Sequence, residues 1–199
     1  MGNTASILNM LRKIGVEAEI SLEEEKIRSS KAYILPGVGA FDNGVTKLRS
    51  SGLFEILEEM VNHEKKPFLG ICLGMQMLFD SSEEGTERGL GWLPGDVSRF
   101  DFSSISNSNK IPHMGWNEVS VEKENPLFNG LTDENRFYFV HSFHVNCSDP
   151  SNISGTSHYG YNFPCSVQKG NIFGAQFHPE KSHRFGMQFM KNFSEFAQC

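Results

Sequence analysis

The chain has 199 residues, a length that suits one domain with a self-sufficient core, burying roughly 70% of its unfolded surface. Its 18 Lys+Arg against 24 Asp+Glu leave a net charge of −6 with no basic cluster, which argues against non-specific nucleic-acid binding. No apolar run approaches a membrane-spanning length, no basic-then-apolar leader is seen, and Cys72, Cys147, Cys165 and Cys199 form neither a C-x-x-C pair nor a zinc-ligand spacing with histidine, so the expectation is a reduced, cytoplasmic, single-domain protein spanning 1–199.

The first element reads as a helix: Ile7, Leu8, Leu11 and Ile14 share a face, Asn3 or Thr4 caps it and Gly15 ends it. Val16, Ala18 and Ile20 then alternate with charged residues, as in a half-exposed strand. Lys31 to Leu35 is a second strand, stopped by Pro36-Gly37-Val38-Gly39, and Leu53, Phe54, Ile56, Leu57, Met60 and Val61 form an amphipathic helix after Gly52. Phe68-Leu69-Gly70-Ile71 is apolar throughout, as a strand covered on both faces would be, and Met75, Leu78 and Phe79 suit a helix directly behind it. This alternation predicts an α/β fold with a parallel sheet between helices. After Gly85 the chain changes character. Ser103 to Asn109 reads as an exposed loop, and strands are expected at Trp116 to Val121, Arg136 to His144, Pro164 to Lys169 and Asn171 to Phe177. The last two flank Lys169-Gly170-Asn171 as a hairpin. A helix buried through Phe185, Phe189, Met190, Phe193 and Phe196 closes the chain, while Glu23-Glu24-Glu25 reads as a solvated face. One feature breaks the pattern: such alternations begin with a strand, and this chain begins with a helix.

Gly70-Ile71-Cys72-Leu73-Gly74 is the cysteine counterpart of a nucleophile elbow, a tight strand-to-helix turn whose small neighbours let the backbone close. The helix behind it offers free N–H groups and its positive dipole end, both of which favour a thiolate. A base is available in Gln176-Phe177-His178-Pro179-Glu180. Pro179 holds His178 extended at a strand end, and Glu180 is near enough to fix the imidazole tautomer, completing a nucleophile–base–orienter set. Pro36 to Phe41 lacks the Lys-Ser/Thr of a phosphate loop. It suits an oxyanion hole instead, with one N–H from Val38 or Gly39 and the other from Leu73. His141 and His144 are three apart, a spacing that puts side chains on opposite faces of a strand, and no third ligand is evident; neither a metal nor a cofactor is expected.

Together with Pro112-His113-Met114-Gly115-Trp116-Asn117 and Gln76, these segments resemble the triad-type (class I) glutamine amidotransferases, and within them the glutaminase subunits of imidazole glycerol phosphate synthase. The resemblance runs from Gly2 to the C-terminus. It implies a flavodoxin-like, three-layer fold around a mixed, mostly parallel sheet. It implies that Cys72 attacks the amide carbon of glutamine, with His178 as acid and base and Glu180 as its orienter. It places glutamine against Gln76, Glu84 and the backbone of Ser142 and Phe143. It also implies a heterodimer, in which ammonia passes to a (β/α)₈-barrel cyclase subunit seated on Met114, Trp116 and Lys181. Family members usually open with an apolar strand ahead of the Met-Gly-Asn seen here, so the expectation is that the true start lies upstream. The same chemistry serving a cyclase-like partner that amidates a surface-polysaccharide sugar is the alternative. Guanylate and anthranilate synthase glutaminases fit less well because their oxyanion loops read Gly-Pro-Gly. γ-Glutamyl hydrolases are usually larger and secreted. A catalytically dead scaffold would show a damaged triad.

Overall fold

The computed structural model describes residues 4–104, 109–131 and 135–198; Gly2 and Asn3, and most of the expected Ser103–Asn109 loop, lie outside them. In chain order the helices are α1 (Thr4–Lys13), α2 (Glu24–Ser29), α3 (Phe41–Ser50), α4 (Leu53–Glu58, continued by a wider turn over Glu59–His63), α5 (Leu73–Gln76) and α6 (His183–Phe196). The strands are β1 (Tyr33–Gly37), β2 (Phe68–Cys72), β3 (Ser81–Ser82), β4 (Gly95–Arg99), β5 (His113–Glu118), β6 (Ser120–Val121), β7 (Arg136–His141), β8 (Phe143–Cys147), β9 (Ile153–Tyr159), β10 (Tyr161–Lys169) and β11 (Ile172–Ala175).

A six-stranded sheet in the order β1-β2-β11-β10-β9-β6 forms the centre. It is mixed. β1, β2 and β11 run parallel, whereas β10, β9 and β6 are added antiparallel. The expected weight toward parallel pairing is thus confined to the half that carries Cys72. Helices cover both faces because the parallel strands bury residues on both sides. Phe68 and Ile172 point into a core under α2, α3 and α4. Their neighbours Leu69, Ile71, Phe173 and Ala175 point into a phenylalanine-rich core under α1 and α6. α6 contributes Phe189, Met190 and Phe193 as fully buried residues, with Phe185 and Phe196 partly buried at its margins. Each such side chain removed from water stabilises the fold by about 1.5–3 kcal/mol.

Two smaller sheets flank the centre: β3-β4-β8 and the ribbon β5-β7. The single strand expected over Arg136 to His144 is two strands interrupted at Ser142, one in each small sheet. This break also corrects the histidine geometry. His141 and His144 do not diverge; their rings pack on the same Phe100, at 5.2 and 4.8 Å between centroids. Trp116 to Val121 likewise splits between β5 and β6. The strand expected at Val16 to Ile20 does not form. No strand pairs with it, and Ile20 and Leu22 stay exposed, so apolar alternation over so few residues lacks a partner to bury it. Of the acidic run Glu23–Glu25, Glu24 and Glu25 open α2, and all three are exposed as expected. The helix behind the Cys72 turn is a single turn, after which Met77, Leu78 and Phe79 are buried in irregular backbone. Among the described residues no helix is long and apolar enough to cross a membrane.

Candidate active site

Cys72 ends β2 with φ +54° and ψ −111°, a backbone state that side-chain-bearing residues rarely hold. Surrounding contacts enforce it. A Cβ at Gly70 would meet the Gly74 carbonyl oxygen at 2.5 Å, and one at Gly74 would meet the Leu35 carbonyl oxygen at 1.8 Å. Both glycines are therefore required for β2, α5 and β1 to close on one another. The turn holds the thiol at the C-terminal edge of the parallel strands, with α5 opening at Leu73.

His178 follows β11, the other neighbour of β2, and its side chain is buried beside that of Glu180 (3% exposed each). Its Nδ1 lies 2.8 Å from Glu180 Oε1. Its backbone is pinned on both sides: the His178 N–H donates to the Tyr138 carbonyl, and the Ser182 hydroxyl donates to the His178 carbonyl. Nε2 makes no hydrogen bond of ordinary geometry among the described residues and is left to the Cys72 thiol. Burial lowers the proton affinity of the imidazole, but Cys72 and Glu180 together outweigh it, so the pKa rises to about 9. The structure thus brings Cys72, His178 and Glu180 into one constellation: a strained thiol, an imidazole that holds a proton at neutral pH, and a carboxylate on the far nitrogen.

The loop after β1 runs alongside. Gly37 is in register with Cys72 across the β1–β2 pairing, and a Cβ on it would meet Leu73 Cβ at 2.8 Å. Val38 is exposed, and Gly39 has φ +106°, a value that glycine alone adopts readily. The backbone of Val38 and Gly39 and the first N–H of α5 at Leu73 therefore lie on the same edge as the thiol.

Gln76 is buried, and its Nε2 donates to the Phe143 carbonyl (3.1 Å) and to Gln176 Oε1 (3.0 Å). Gln176 in turn points Nε2 at Cys72 Sγ, 3.7 Å away. Motif reading did not single out Gln176; its signal was a glutamine at the end of an otherwise apolar strand, where a buried amide needs partners. Ser142 is the break between β7 and β8, and Phe143 opens β8. Glu84 lies on the loop after β3, and its carboxylate accepts the Phe41 N–H at the start of α3 (2.8 Å). Asp42 reciprocates from α3, accepting the Thr86 and Glu87 N–H groups at 2.9–3.0 Å. The loop that carries Glu84 is therefore clasped to the helix that follows Val38 and Gly39, a tie that motif reading also missed.

Met114 and Trp116 are 61% and 41% exposed, on the outer face of β5. Trp116 is thus not core. It stacks on His183 (5.4 Å, 8°) and meets Tyr138 edge-on, while the Lys181 ammonium lies 5.5 Å from the centroid of the Tyr138 ring. Met114 and Trp116 thus share the outer face of β5, and Trp116 and Lys181 both neighbour Tyr138.

Residues 1–196 match the family described as glutamine amidotransferase class-I. The chain is 50% identical over 195 residues to imidazole glycerol phosphate synthase subunit HisH 2 of Pseudomonas aeruginosa, covering 98% of this chain and 95% of that one. It is 51% identical over 193 residues to the protein of the same name from Methanococcus maripaludis, covering 97% and 94%. Among solved structures, a glutamine amidotransferase shares the fold with a TM-score of 0.77 at 21% identity, covering 100% of this chain and 95% of that one. The chain belongs to the class I glutamine amidotransferase family.

Proposed function

We infer that the protein is the glutaminase subunit of an imidazole glycerol phosphate synthase, hydrolysing glutamine to glutamate and ammonia for a cyclase subunit in histidine biosynthesis. The observation that carries the reading is the strained Cys72 turn set against the buried His178, whose Nδ1 lies 2.8 Å from Glu180 Oε1. The 45–51% identity to proteins named as subunits of that synthase supports the pathway, and the surface-sugar alternative finds no support. We read residues 1–199 as one cytoplasmic domain that needs no cofactor.

Cys72 Sγ, as the thiolate whose proton His178 Nε2 holds, attacks the side-chain amide carbon of glutamine. The carbonyl oxygen becomes an oxyanion held by the Leu73 N–H and by that of Val38 or Gly39. His178 gives its Nε2 proton to the departing nitrogen, and ammonia leaves as the C–N bond breaks and the thioester forms. The imidazole, now neutral, takes a proton from water, and the hydroxide adds to the thioester. Collapse breaks the C–S bond and glutamate leaves, its carboxyl proton passing to solvent, with sulfur again a thiolate and the proton again on His178 Nε2. Glu180 keeps the imidazole in one tautomer throughout. Gln76, Glu84 and the backbone of Ser142 and Phe143 hold the substrate. Met114, Trp116 and Lys181 form the heterodimer face, so ammonia is released beside the partner.

The test is glutamate release from glutamine, with and without the cyclase partner and its substrate, with Cys72→Ala as control. Cys72-dependent release that rises with partner and substrate supports the assignment; Cys72-independent release, or none with the partner present, overturns it. Ammonia supplied directly is expected to restore the coupled synthase reaction in Cys72→Ala and in Glu180→Gln, because neither substitution touches the partner's chemistry. Failure of that rescue would place these residues outside ammonia generation.

A further inference from the structure

We propose that His113 and His141 form a one-way, tautomer-locked relay that positions the Ser142–Phe143 backbone for glutamine and ties it to the strand bearing Met114 and Trp116. The proposal rests on the reading of that backbone as part of the glutamine site.

Phe143 opens β8 directly after the break at Ser142, and its carbonyl is held by side chains. It accepts two hydrogen bonds, from Gln76 Nε2 at 3.1 Å and from His141 Nδ1 at 2.7 Å. A carbonyl only accepts, so His141 carries its proton on Nδ1. In the neutral ring, Nε2 is then an acceptor. Its partner at 3.0 Å is His113 Nδ1, which must donate. His113 Nε2 is left to accept, and it faces the amide nitrogen of Asn117 at 3.2 Å. The far end fixes the same direction independently. The Asn117 nitrogen also donates to the His158 carbonyl (2.8 Å), and its oxygen accepts the Glu118 N–H (2.8 Å). The amide cannot turn round without losing both. Every proton in the chain therefore points from β5 toward Phe143.

Both rings are held neutral. Burial pushes His113 down to about 4 and His141 down to about 3. Neither ring is used in the thioester chemistry. His144, the third buried histidine of the cluster, takes no part in the relay and hydrogen-bonds the Tyr161 hydroxyl at 2.9 Å. On β5, His113 points inward while Met114 and Trp116 face outward on the same strand. A shift of β5 by a partner seated on its outer face is transmitted through the relay to the Phe143 carbonyl. From there Gln76 and Gln176 lead to the Cys72 thiol. His113 and His141 are positioning residues: they act through the Phe143 carbonyl.

The relay is tested first in the unsubstituted protein, by nitrogen NMR of the imidazoles. Both rings are expected as the Nδ1–H form; His141 as the Nε2–H form overturns the proposal. The second test is glutamine kinetics. His113→Phe keeps a flat ring stacked on Tyr159 and Phe139 (4.1 and 4.7 Å) but removes the donor. His113→Asn keeps an amide donor near the Nδ1 position. His113→Phe is expected to raise KM for glutamine about tenfold, the effect of one lost substrate-fixing hydrogen bond. It should change kcat far less and reduce stimulation by the cyclase partner; His113→Asn should restore most of both. If the unsubstituted protein hydrolyses glutamine through Cys72 but His113→Phe leaves KM and stimulation within twofold, the relay alone fails. Equal loss of kcat in both variants overturns it as well. If the unsubstituted protein shows no such hydrolysis, the functional reading fails and the relay with it. Should His113→Phe not fold, the tautomers decide.

Discussion

Cys72 shows how much a single backbone state costs and what it gives. At φ +54° and ψ −111° a residue with a Cβ is strained by about 1–3 kcal/mol. Gly70 and Gly74 hold it there, because neither position has room for a methyl group. Cys72→Ala and Cys72→Gly both remove the proposed nucleophile, so both are expected to lose glutamine hydrolysis by about 10⁴- to 10⁶-fold. They should differ in stability. Glycine adopts the observed conformation freely, so Cys72→Gly is expected to be more stable than Cys72→Ala by about 1 kcal/mol. Denaturant midpoints with equal slopes measure the difference, and an alanine variant equal to or above the glycine variant would show that the turn carries no strain. Glu180→Gln removes only the carboxylate charge on His178 and is expected to cost less activity than either. The triad was legible in sequence because each member sits in a local pattern with its own physical reason: glycines around the thiol, a proline after the imidazole, a carboxylate two residues on. Gln176 and His141 were not, because their roles come from partners 104 and 28 residues away.

At the scale of elements, the Glu84 loop and the helix that follows Val38 and Gly39 are joined by a reciprocal clasp. Glu84 accepts from the first N–H of α3, and Asp42 on α3 accepts from the backbone of the Glu84 loop. Those two N–H groups are also what lowers the Asp42 pKa, Thr86 first and Glu87 second. Gly85 has to be a glycine here: a Cβ would come within 1.9 Å of Asp42 Oδ1. Asp42→Ala and Gly85→Ala are therefore expected to loosen the same loop by two unrelated routes. Each should raise KM for glutamine several-fold while leaving kcat within a factor of two or three. A change in kcat with unaltered KM would show that the clasp serves the oxyanion loop rather than substrate. Such ties explain which elements the sequence announced. The runs 68–71 and 172–177 are apolar enough to declare buried strands, and Gly170 at φ +58° makes the hairpin turn between β10 and β11. β4 reads Gly-Asp-Val-Ser-Arg with Val97 alone buried, and β9 is rich in serine and threonine, so neither carries an apolar signal. Their strand character comes from pairing with β8 and β10. Val16 to Ile20 had the opposite fault: an alternating pattern without a neighbour to pair with.

Across the whole molecule, two sets of buried histidines pull stability in opposite directions with pH. The folded pKa of His178 is raised to about 9 from an unfolded value near 6.5. Its contribution is complete below 6.5 and is lost as pH climbs through about 9. His113 and His141 are lowered to about 4 and about 3, and His144 is lowered as well, all chiefly by burial. Their neutral forms fit the fold, so their contribution is complete above 6.5 and is lost as pH falls toward 4, because the unfolded chain takes up protons that the folded chain refuses. The protein is accordingly expected to be most stable near pH 6.5–7 and to weaken on both sides. Denaturant midpoints collected from pH 4 to 10 would trace the curve. The two limbs can be separated: in His178→Asn the loss on the alkaline side should shrink while the acid side keeps its slope, since Asn does not titrate and the His113–His141 pair is untouched. In His113→Phe the acid limb should flatten instead. A His178→Asn variant whose acid limb changed and whose alkaline limb did not would reverse the assignment of charge in the active site, leaving His178 neutral at the pH where it has to give up a proton.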